Sequence, residues 1–374
     1  MLSIKNFEVF QRAGNTPFYS SSAIYDYWIS LEIDDNYQSW NTFTLYVSYS
    51  KENVKNFATN NIILFDSIYY YITSQQVDDI KTGLLIKGRS LFGHISDRMI
   101  MAENGNYYNM YPEQIARSFI DSEVVKPSDT KRTIYSLFNK DKTIFSSSKI
   151  TMQQGYAQLD SVITNLMTTY NFGVKEIGGS FSTTDITQDI VFYQGKDVSD
   201  WVDLSTDPKK GNAIVKPSYT DDVRDEKTYA LIAGEGDYPN RAKQYIGSDL
   251  TDVNRKELYV DARDVQKTVN NVVMSDSDYK AALLARGMSK LSDTQKVLTL
   301  KGDFNKDIEI YEFGKDFNVG DRVTISSSEF NVSKTSLITA AKYTFDKDGT
   351  MQNGKPSHID LTFDKDTTPK ILFN

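Results

Sequence analysis

The sequence predicts a mixed β and α+β fold: two related β-barrel or sandwich domains, an α/β segment between them and a small helical insert. Three observations predict it. Short runs of alternating apolar and polar residues occur in the first and last parts of the chain, helical periodicity begins in the middle, and aromatic residues are abundant. The 374 residues include 24 tyrosines and 20 phenylalanines, which favour strands and interfaces.

Residues 1–93 are predicted to form the first β-barrel domain. Residues 42–49 alternate apolar and polar side chains, as a strand with one buried face does. Asp34, Asp35 and Asn36 are typical of a turn. Further strands are predicted at 28–33, 62–72 and 84–87.

Residues 94–204 are predicted to form an α/β domain, because helical spacing replaces alternation here. Leu91, Ile95 and Met99 recur at helical intervals, and Pro112 is well placed to open a second helix. The third helix is predicted at 156–170, where apolar residues form one stripe. Strands are predicted at 174–177 and 190–193.

Residues 205–374 are predicted to form the second β-barrel domain, with a helical insert at about 275–292. Ser275, followed three residues later by Asp278, resembles a capping box at the start of that helix. The predicted strands of this domain are 227–233, 255–265, 297–300, 308–313, 322–326, 337–345 and 359–363.

The stretch 255–265 has a charged face on which Arg263 lies between Asp261 and Asp264. Such an arginine can form two parallel hydrogen bonds to a carboxylate. Two interpretations stay open: a structural ion pair, or solvated charges on an edge strand that contribute little stability. The stretch 84–91 has a similar pattern with Arg89 in the place of Arg263, as a duplicated unit would.

Composition narrows the classes of function. The net charge is -8 and there is no cluster of lysine and arginine, so sequence-specific DNA binding is not expected. The absence of cysteine excludes disulfides and thiolate catalysis. Lys5 and Glu8 interrupt the N-terminal region where a signal peptide needs an apolar core. Apolar runs such as 62–65 are short for a membrane span, so synthesis in the cytoplasm without membrane insertion is expected.

Motifs for catalysis or cofactor binding are not found in the sequence. His94 and His358 have no partner nearby in sequence, and no phosphate-binding or nucleophile-elbow motif occurs. Two acidic stretches could bind calcium, but each lacks part of the ligand set, and carboxylate pairs for glycoside cleavage are too unspecific to argue from. The two acidic stretches are Asp303, Asn305 and Asp307, and Asp346 with Asp348 before Gly349. We therefore expect no catalytic residue, cofactor or metal.

Three stretches in order resemble the tail hub proteins of long-tailed phages, nearest the tail-associated (Tal) hub of small lactococcal siphophages. The first is 83–91, followed by Arg98, and the second is 255–264. The third is 316–325, in which Gly320 and Asp321 make the turn into a strand. The resemblance implies a phage tail hub-like fold and a structural protein of the virion rather than an enzyme. The structural residues predicted are Arg89, Asp261, Arg263, Asp264, Gly320 and Asp321.

The resemblance also implies partners. A homotrimer would carry six barrels in a ring that docks under the hexameric distal tail (Dit) protein, since a threefold object must imitate sixfold symmetry to meet such a partner. It would close the tail end and open for the tape-measure protein and for genomic DNA in transit, with baseplate receptor-binding proteins as further partners. Because the chain ends at Asn374 after the last β-domain, we expect the hub alone. The alternatives are a tail-associated cell-wall hydrolase and a glycan-binding adhesin.

Overall fold

The computed structural model describes residues 2–14, 19–79, 83–179, 186–269, 271–305, 308, 310–346 and 354–363. The first part of the chain is mainly strand, as predicted. In β4 the apolar residues Phe43, Leu45 and Val47 are buried and alternate with partly exposed ones. The elements are β1 Phe7–Arg12, β2 Tyr19–Tyr25, β3 Ser30–Asn36, β4 Thr42–Val47, α1 Lys51–Asn56, β5 Ile62–Phe65, β6 Ile68–Asp79, β7 Gly83–Ser90 and a 3₁₀ helix Leu91–Asp97.

The middle segment, from β8 to β12, contains two longer helices. The apolar stripe of α3 is buried, and Asn171 ends this helix in the left-handed conformation. The second helix begins at Pro112, as predicted. The elements are β8 Met99–Met110, α2 Pro112–Ile120 with a π-helical continuation Asp121–Val125, a 3₁₀ helix Thr130–Arg132, β9 Leu137–Phe138, β10 Ile150–Gln158, α3 Leu159–Tyr170, β11 Gly173–Ile177 and β12 Gln188–Tyr193.

The last part returns to strands, interrupted by one long helix. Ser275 caps that helix by accepting a hydrogen bond from the Asp278 amide, so the predicted helix start is confirmed. The elements are β13 Asp203–Ser205, a 3₁₀ helix Pro208–Lys210, β14 Ile214–Asp222, β15 Tyr229–Ala233, β16 Lys243–Gly247, a 3₁₀ helix Asp252–Asn254, β17 Glu257–Asp261, β18 Thr268–Val269, β19 Val272–Val273, α4 Asp276–Ser292, β20 Val297–Phe304, β21 Arg322–Ser327, β22 Val332–Asp346 and β23 His358–Phe363.

The first and last parts join in one large, mostly antiparallel sheet of 13 strands. The connection is between β22 and β3, whose residues pair from Ala340 with Asn36 to Asp346 with Ser30. Both parts also contribute to one hydrophobic core. The predominance of β-structure predicted from the sequence is confirmed, and the sheet is mostly antiparallel, whereas the division into separate barrel domains stays a prediction. The strand order is β14-β20-β23-β22-β3-β4-β7-β6-β5-β1-β2, with β21 on β22 and β13 on β21.

Residues 223–296 form an insertion between two neighbouring strands. β14 and β20 pair in antiparallel register from Ile214 with Phe304 to Asp222 with Val297, so the chain leaves the sheet and returns to it at one point. The insertion has its own core, formed by α4 and the three-stranded sheet β16-β15-β17. The predicted insert at 275–292 corresponds to α4 alone.

Three local predictions are wrong. Asp34, Asp35 and Asn36 lie in β3 rather than in a turn, because they pair with β22. Met99 begins β8 instead of continuing a helix. No strand occurs among the described residues of 308–313, where Phe313 makes only an isolated bridge to Phe317.

Among the residues described, no helix is both long and apolar enough to cross a membrane.

Candidate structural sites and interaction surfaces

Gly320 and Asp321, just before β21, contact the segment that follows β12 at Gly195 and Lys196. Gly320 has a φ of +94°, which favours glycine, and its amide donates to the Ile338 carbonyl at 2.8 Å. The buried Asp321 carboxylate accepts hydrogen bonds from the amides of Lys196 at 2.7 Å and Asn318 at 2.9 Å. The predicted turn into a strand is confirmed, since β21 begins at Arg322. The Asp321 carboxylate also binds the segment after β12, through the Lys196 amide.

Two tyrosines complete this contact. Tyr37 is fully buried, and its ring meets that of Tyr193 edge-on with centroids 5.2 Å apart. Burial raises the pKa of Tyr37 to about 12, so its hydroxyl stays protonated. That hydroxyl accepts from the Gly195 amide at 3.2 Å, while the Tyr193 hydroxyl donates to the Val319 carbonyl at 3.0 Å. We call Tyr37, Tyr193, Gly195, Gly320 and Asp321 the junction.

Arg89 fastens the end of β7 to the 3₁₀ helix that follows it. Its guanidinium donates to the Ser96 hydroxyl at 2.6 Å and to both Asp97 carboxylate oxygens at 3.1 and 3.2 Å. It also lies 5.1 Å from the ring centroid of Tyr71, on which His94 stacks. The hydrogen bond with His94 and the charge of Arg89 hold the pKa of Asp97 below its usual value.

Asp261 is held by two arginines at the end of β17. Arg263 donates to it at 2.6 Å but is largely exposed. The more buried Arg241 also binds Asp261, and it donates at 2.6 Å to each of three further acceptors. Hydrogen bonds from the two arginines hold the pKa of Asp261 well below its usual range. The three further acceptors are the carbonyls of Gly234 and Ala233 and the hydroxyl of Tyr259.

Asp264 does not pair with Arg263. It forms an ion pair with Arg286 of α4 at 2.7 Å, which ties the loop after β17 to the helix. The expected correspondence between Arg89 and Arg263 is not found. Arg89 lies in an antiparallel strand of the large sheet, whereas Arg263 follows a strand that pairs in parallel with β15 inside the insertion.

The solvent side of the large sheet carries a continuous polar surface that crosses from the first part of the chain to the last. Its cross-strand neighbours run from Thr42 through Asp34 to Lys342, and on to Asp360 and Asp303. We call this surface the polar face. Its members are Glu32, Asp34, Thr42, Thr44, Lys87, Asp303, Lys342, Thr344, His358 and Asp360.

Two carboxylates of the polar face lie directly opposite each other. Asp303 pairs in register with Asp360 and also binds Lys216 at 2.9 Å. Burial, together with the hydrogen bond and charge of Asp303, raises the pKa of Asp360 to about 6. The pKa of Asp303 is lowered by its hydrogen bonds to Asp360 and Lys216. The pair therefore holds one proton more readily than two separate carboxylates would.

The insertion presents a tyrosine face on the side of its sheet opposite α4. Leu231 pairs with Tyr245 on one side and Tyr259 on the other, and these tyrosines are 56% and 58% exposed. Next to them, the guanidinium of Arg255 lies 3.8 Å from the ring centroid of Tyr229. Exposed aromatic groups of this kind mark interaction surfaces. The tyrosine face consists of Tyr229, Leu231, Tyr245 and Tyr259.

Among the described residues, no three histidine, aspartate or glutamate side chains come together as a metal site. Of the calcium candidates, Asp307, Asp348 and Gly349 lie outside the described residues. Asp303 is engaged by Lys216.

Residues 16–354 match the sequence family described as Siphovirus ReqiPepy6 Gp37-like protein. The chain belongs to this family. The predicted likeness to phage tail proteins is confirmed at this level, and the narrower likeness to the lactococcal hub stays a prediction. No curated protein sequence matches the chain.

Crystal structures of three tail proteins, two of them from prophages, share the fold of this family member. The prophage tail protein gp18 from Listeria monocytogenes EGD-e is 15% identical, with a TM-score of 0.56 over 96% of this chain and 95% of that chain. The 43 kDa tail protein of prophage MuSo2 from Shewanella oneidensis is 14% identical, with a TM-score of 0.52 over 96% and 98%. The tail protein from Neisseria meningitidis MC58 is 14% identical, with a TM-score of 0.51 over 96% and 97%.

Sequence reasoning missed two residues that are central to these sites. Arg241 lies in a loop before β16, and its acceptors are backbone carbonyls that no side-chain pattern reveals. Tyr37 follows three polar residues that resemble a turn. The strand position of Asp35, by contrast, could have been predicted, because Asp35 continues the alternation of Leu31 and Ile33.

Proposed function

We propose that this family member is a structural protein of the virion, a hub at the tail tip that acts by assembly rather than catalysis. The observation that carries the proposal is its fold, which it shares over nearly its whole length with three tail proteins. The ion pairs of Arg89, Asp261, Arg263 and Asp264 then serve to hold strands and loops in place.

The assembly that we propose is a homotrimeric ring under the hexameric distal tail protein. In the described chain, β2 and β14 end the main path of strands in the large sheet, and each has one unpaired edge, while β13 ends the short branch through β21. Free edges at opposite ends of one sheet suit head-to-tail contacts, which close into a ring when the rotation permits. Further proposed partners are the tape-measure protein, baseplate receptor-binding proteins, and genomic DNA in transit.

The mass of the purified protein in solution tests this assembly, alone and with the distal tail protein. We expect a trimer for the natural chain and loss of the trimer in Ile24→Lys, because lysine on an edge strand opposes strand pairing and Ile24 is exposed on β2. Ile177→Lys, at an exposed isoleucine of β11, is the matched control. A natural chain that stays monomeric, even with the distal tail protein, would contradict the hub.

We also propose that the polar face lines the passage for DNA. Four of its members are acidic, and Lys342 is engaged by Glu32 at 2.8 Å, so the surface offers no basic track to hold phosphates. Glu32→Lys with Asp34→Lys is expected to slow DNA release from assembled virions. Asp200→Lys, at an exposed aspartate of a turn outside this face, is the control. Unchanged release in the double variant would contradict the assignment.

The tyrosine face favours a second function, that of a glycan-binding adhesin. Sugar rings stack on exposed tyrosines. The ion pairs of Asp261 with Arg263 and of Glu257 with Arg255 can bind hydroxyl groups and carry no net charge. Calorimetric titration with neutral hexasaccharides of glucose and of N-acetylglucosamine tests it, with Tyr245→Ser as the binding-deficient variant. A zymogram on host cell walls tests the remaining alternative, a hydrolase.

A further inference from the structure

A cavity of about 560 Å³ separates the large sheet from the middle segment beside the junction. One carboxyl group enters it from each side. Asp35 follows Leu31 and Ile33 on the core face of β3, and Glu176 follows Val174 on the buried face of β11. Each carboxyl therefore occupies a strand position where an apolar residue is the rule.

Neither carboxyl has a salt bridge among the residues that the structure describes. Asp35 has a hydrogen bond to Asn41. Glu176, which is 6% exposed, accepts from the Phe92 amide at 2.9 Å and bonds to Ser90. Glu176 is buried and Asp35 is half-buried, and a carboxylate removed from water without a cation is costly, so this setting favours the protonated form. Accordingly, burial raises the pKa of Asp35 to about 6 and that of Glu176 to about 7.

Tyr70 connects the two groups. It is buried in β6 and lines the same cavity, and its pKa is raised first by burial and then by the charges of Asp35 and Glu176. Tyr193 and Tyr343 also line the cavity, and the charge of Asp35 adds to the effect of burial in raising their pKa values. All three tyrosines are neutral near pH 7, and none can supply a balancing positive charge.

The remaining charged groups of the cavity do not neutralise this pair. Asp66 and Asp321 add two acids, and Asp321 is engaged by backbone amides. Lys175 and Lys196 are exposed at the rim, where the Lys175 ammonium lies 5.2 Å from the ring centroid of Tyr193. The positive charge of the chain terminus lowers the pKa of Asp35 and of Asp66, in each case by less than burial raises it.

We propose that Asp35 and Glu176 form a pH-sensitive contact, in which protonation tightens the attachment of the middle segment to the large sheet and deprotonation loosens it. When both are neutral, each can donate to a tyrosine or amide oxygen across the cavity. When both are charged, each leaves a charge without a cation at the cavity wall and draws in water. The device does not depend on the proposed assembly, and it would let a tail protein respond to the pH of its surroundings.

The sign follows from the raised pKa values. The two groups stabilise the folded chain fully at a pH below about 4, where the unfolded chain is protonated as well. This contribution is lost as the pH rises through 6 to 7, where the folded carboxyls lose their protons. The attachment is therefore weaker at pH 8 than at pH 5.5.

Hydrogen exchange of the full chain between pH 5.5 and 8, corrected for intrinsic rates, tests the proposal. Protection of residues 91–97 and 173–177 is expected to fall on the order of tenfold or more relative to β17, which lies in the insertion. Asp35→Asn combined with Glu176→Gln should abolish that dependence, and Glu329→Gln, at an exposed glutamate, should keep it. A pH-independent natural chain, or a double variant with unchanged dependence, would overturn the proposal.

A second measurement does not require the double variant to fold. Carbon NMR titration of the side-chain carboxyls in the natural protein should show three groups that titrate near pH 6 to 7, those of Asp35, Glu176 and Asp360. Asp35→Asn and Glu176→Gln should each remove one of them and leave the Asp360 titration in place. Assigned midpoints for both Asp35 and Glu176 below about 5, near the ordinary values, would also overturn it.

Discussion

The ring of Tyr37 packs directly against the backbone of Gly320: a Cβ on Gly320 would lie 2.5 Å from Cε2 of Tyr37. The same glycine has a φ of +94°. The carbonyl of Gly320 in turn lies where a Cβ on Gly195 would be, at 1.8 Å. Three segments far apart in sequence are thus in direct contact. The contact is possible only because two of them contribute glycine, which has no Cβ to collide with the neighbouring segment.

Gly320→Ala is expected to lower the free energy of unfolding by about 2–4 kcal/mol, because it combines backbone strain with overlap against a buried ring. Urea denaturation measures it. Gly14→Ala separates the two causes, since Gly14 also has a positive φ, +61°, but has nothing within 4 Å of the added Cβ. The control should cost about 1 kcal/mol. Equal losses in the two variants would mean that contact with Tyr37 contributes nothing.

Asp321→Ala is expected to lower the free energy of unfolding by about 2–3 kcal/mol, because the amides of Lys196 and Asn318 lose their acceptor in a buried place. Asp321→Asn should cost less, since one amide oxygen remains to accept. Asp200→Ala, at an exposed aspartate of a nearby turn, should stay within about 0.5 kcal/mol of the natural chain. Thermal unfolding of the three variants checks the order, and a neutral Asp321→Ala would refute the role of this carboxylate.

Local features were predictable from the sequence because their physics is local. Ser275 caps α4 through a residue three positions away, and Gly320 with Asp321 marks a turn by backbone conformation. Alternation identified β4 because one face of this strand is buried. The family resemblance in three short stretches pointed to a phage tail protein for the same reason, since those stretches contain these turns and strands.

Long-range pairing could not be predicted. The union of β3 with β22 joins residues from opposite ends of the chain, and no short pattern encodes that register. It also explains the misread turn: in isolation Asp34, Asp35 and Asn36 favour a turn, but hydrogen bonding to β22 keeps them extended. The insertion was likewise hidden, because the pairing of β14 with β20 defines its limits.

Arg241→Gln is expected to destabilise the chain by about 2 kcal/mol, whereas Arg263→Gln should change little. The guanidinium of Arg241 is 13% exposed and binds two backbone carbonyls and Tyr259 as well as Asp261. Arg263 is 69% exposed and binds only Asp261 among these groups, as a surface ion pair of small worth. Urea denaturation of both variants ranks them. A larger loss for Arg263→Gln would show that the residue singled out from the sequence is the more important one.

Asp360→Asn is expected to make the chain more stable than the natural protein at pH 7.5, and not at pH 4.5. The pKa of Asp360 is raised to about 6, first by burial and then by Asp303, although Lys342 and His358 on neighbouring positions lower it. A raised pKa means that the group stabilises the fold below its unfolded value and that this stability is lost as the pH rises through 6. Asparagine carries no charge at any pH, so the variant does not lose stability at this position as the pH rises through 6.

The difference in stability between Asp360→Asn and the natural protein isolates the effect of Asp360, because Asp35 and Glu176 titrate in both proteins. Asp34→Asn is the matched control on the same face: Asp34 accepts from Thr42 at 2.9 Å and pairs in register with Lys342 instead of an acid, so its neutralisation should give no gain at pH 7.5. Urea midpoints from pH 4.5 to 7.5 supply the comparison. If Asp360→Asn were less stable than the natural chain at pH 7.5, then Lys342 and His358 would outweigh the repulsion by Asp303, and the polar face would be stabilised by the full charge of this carboxylate.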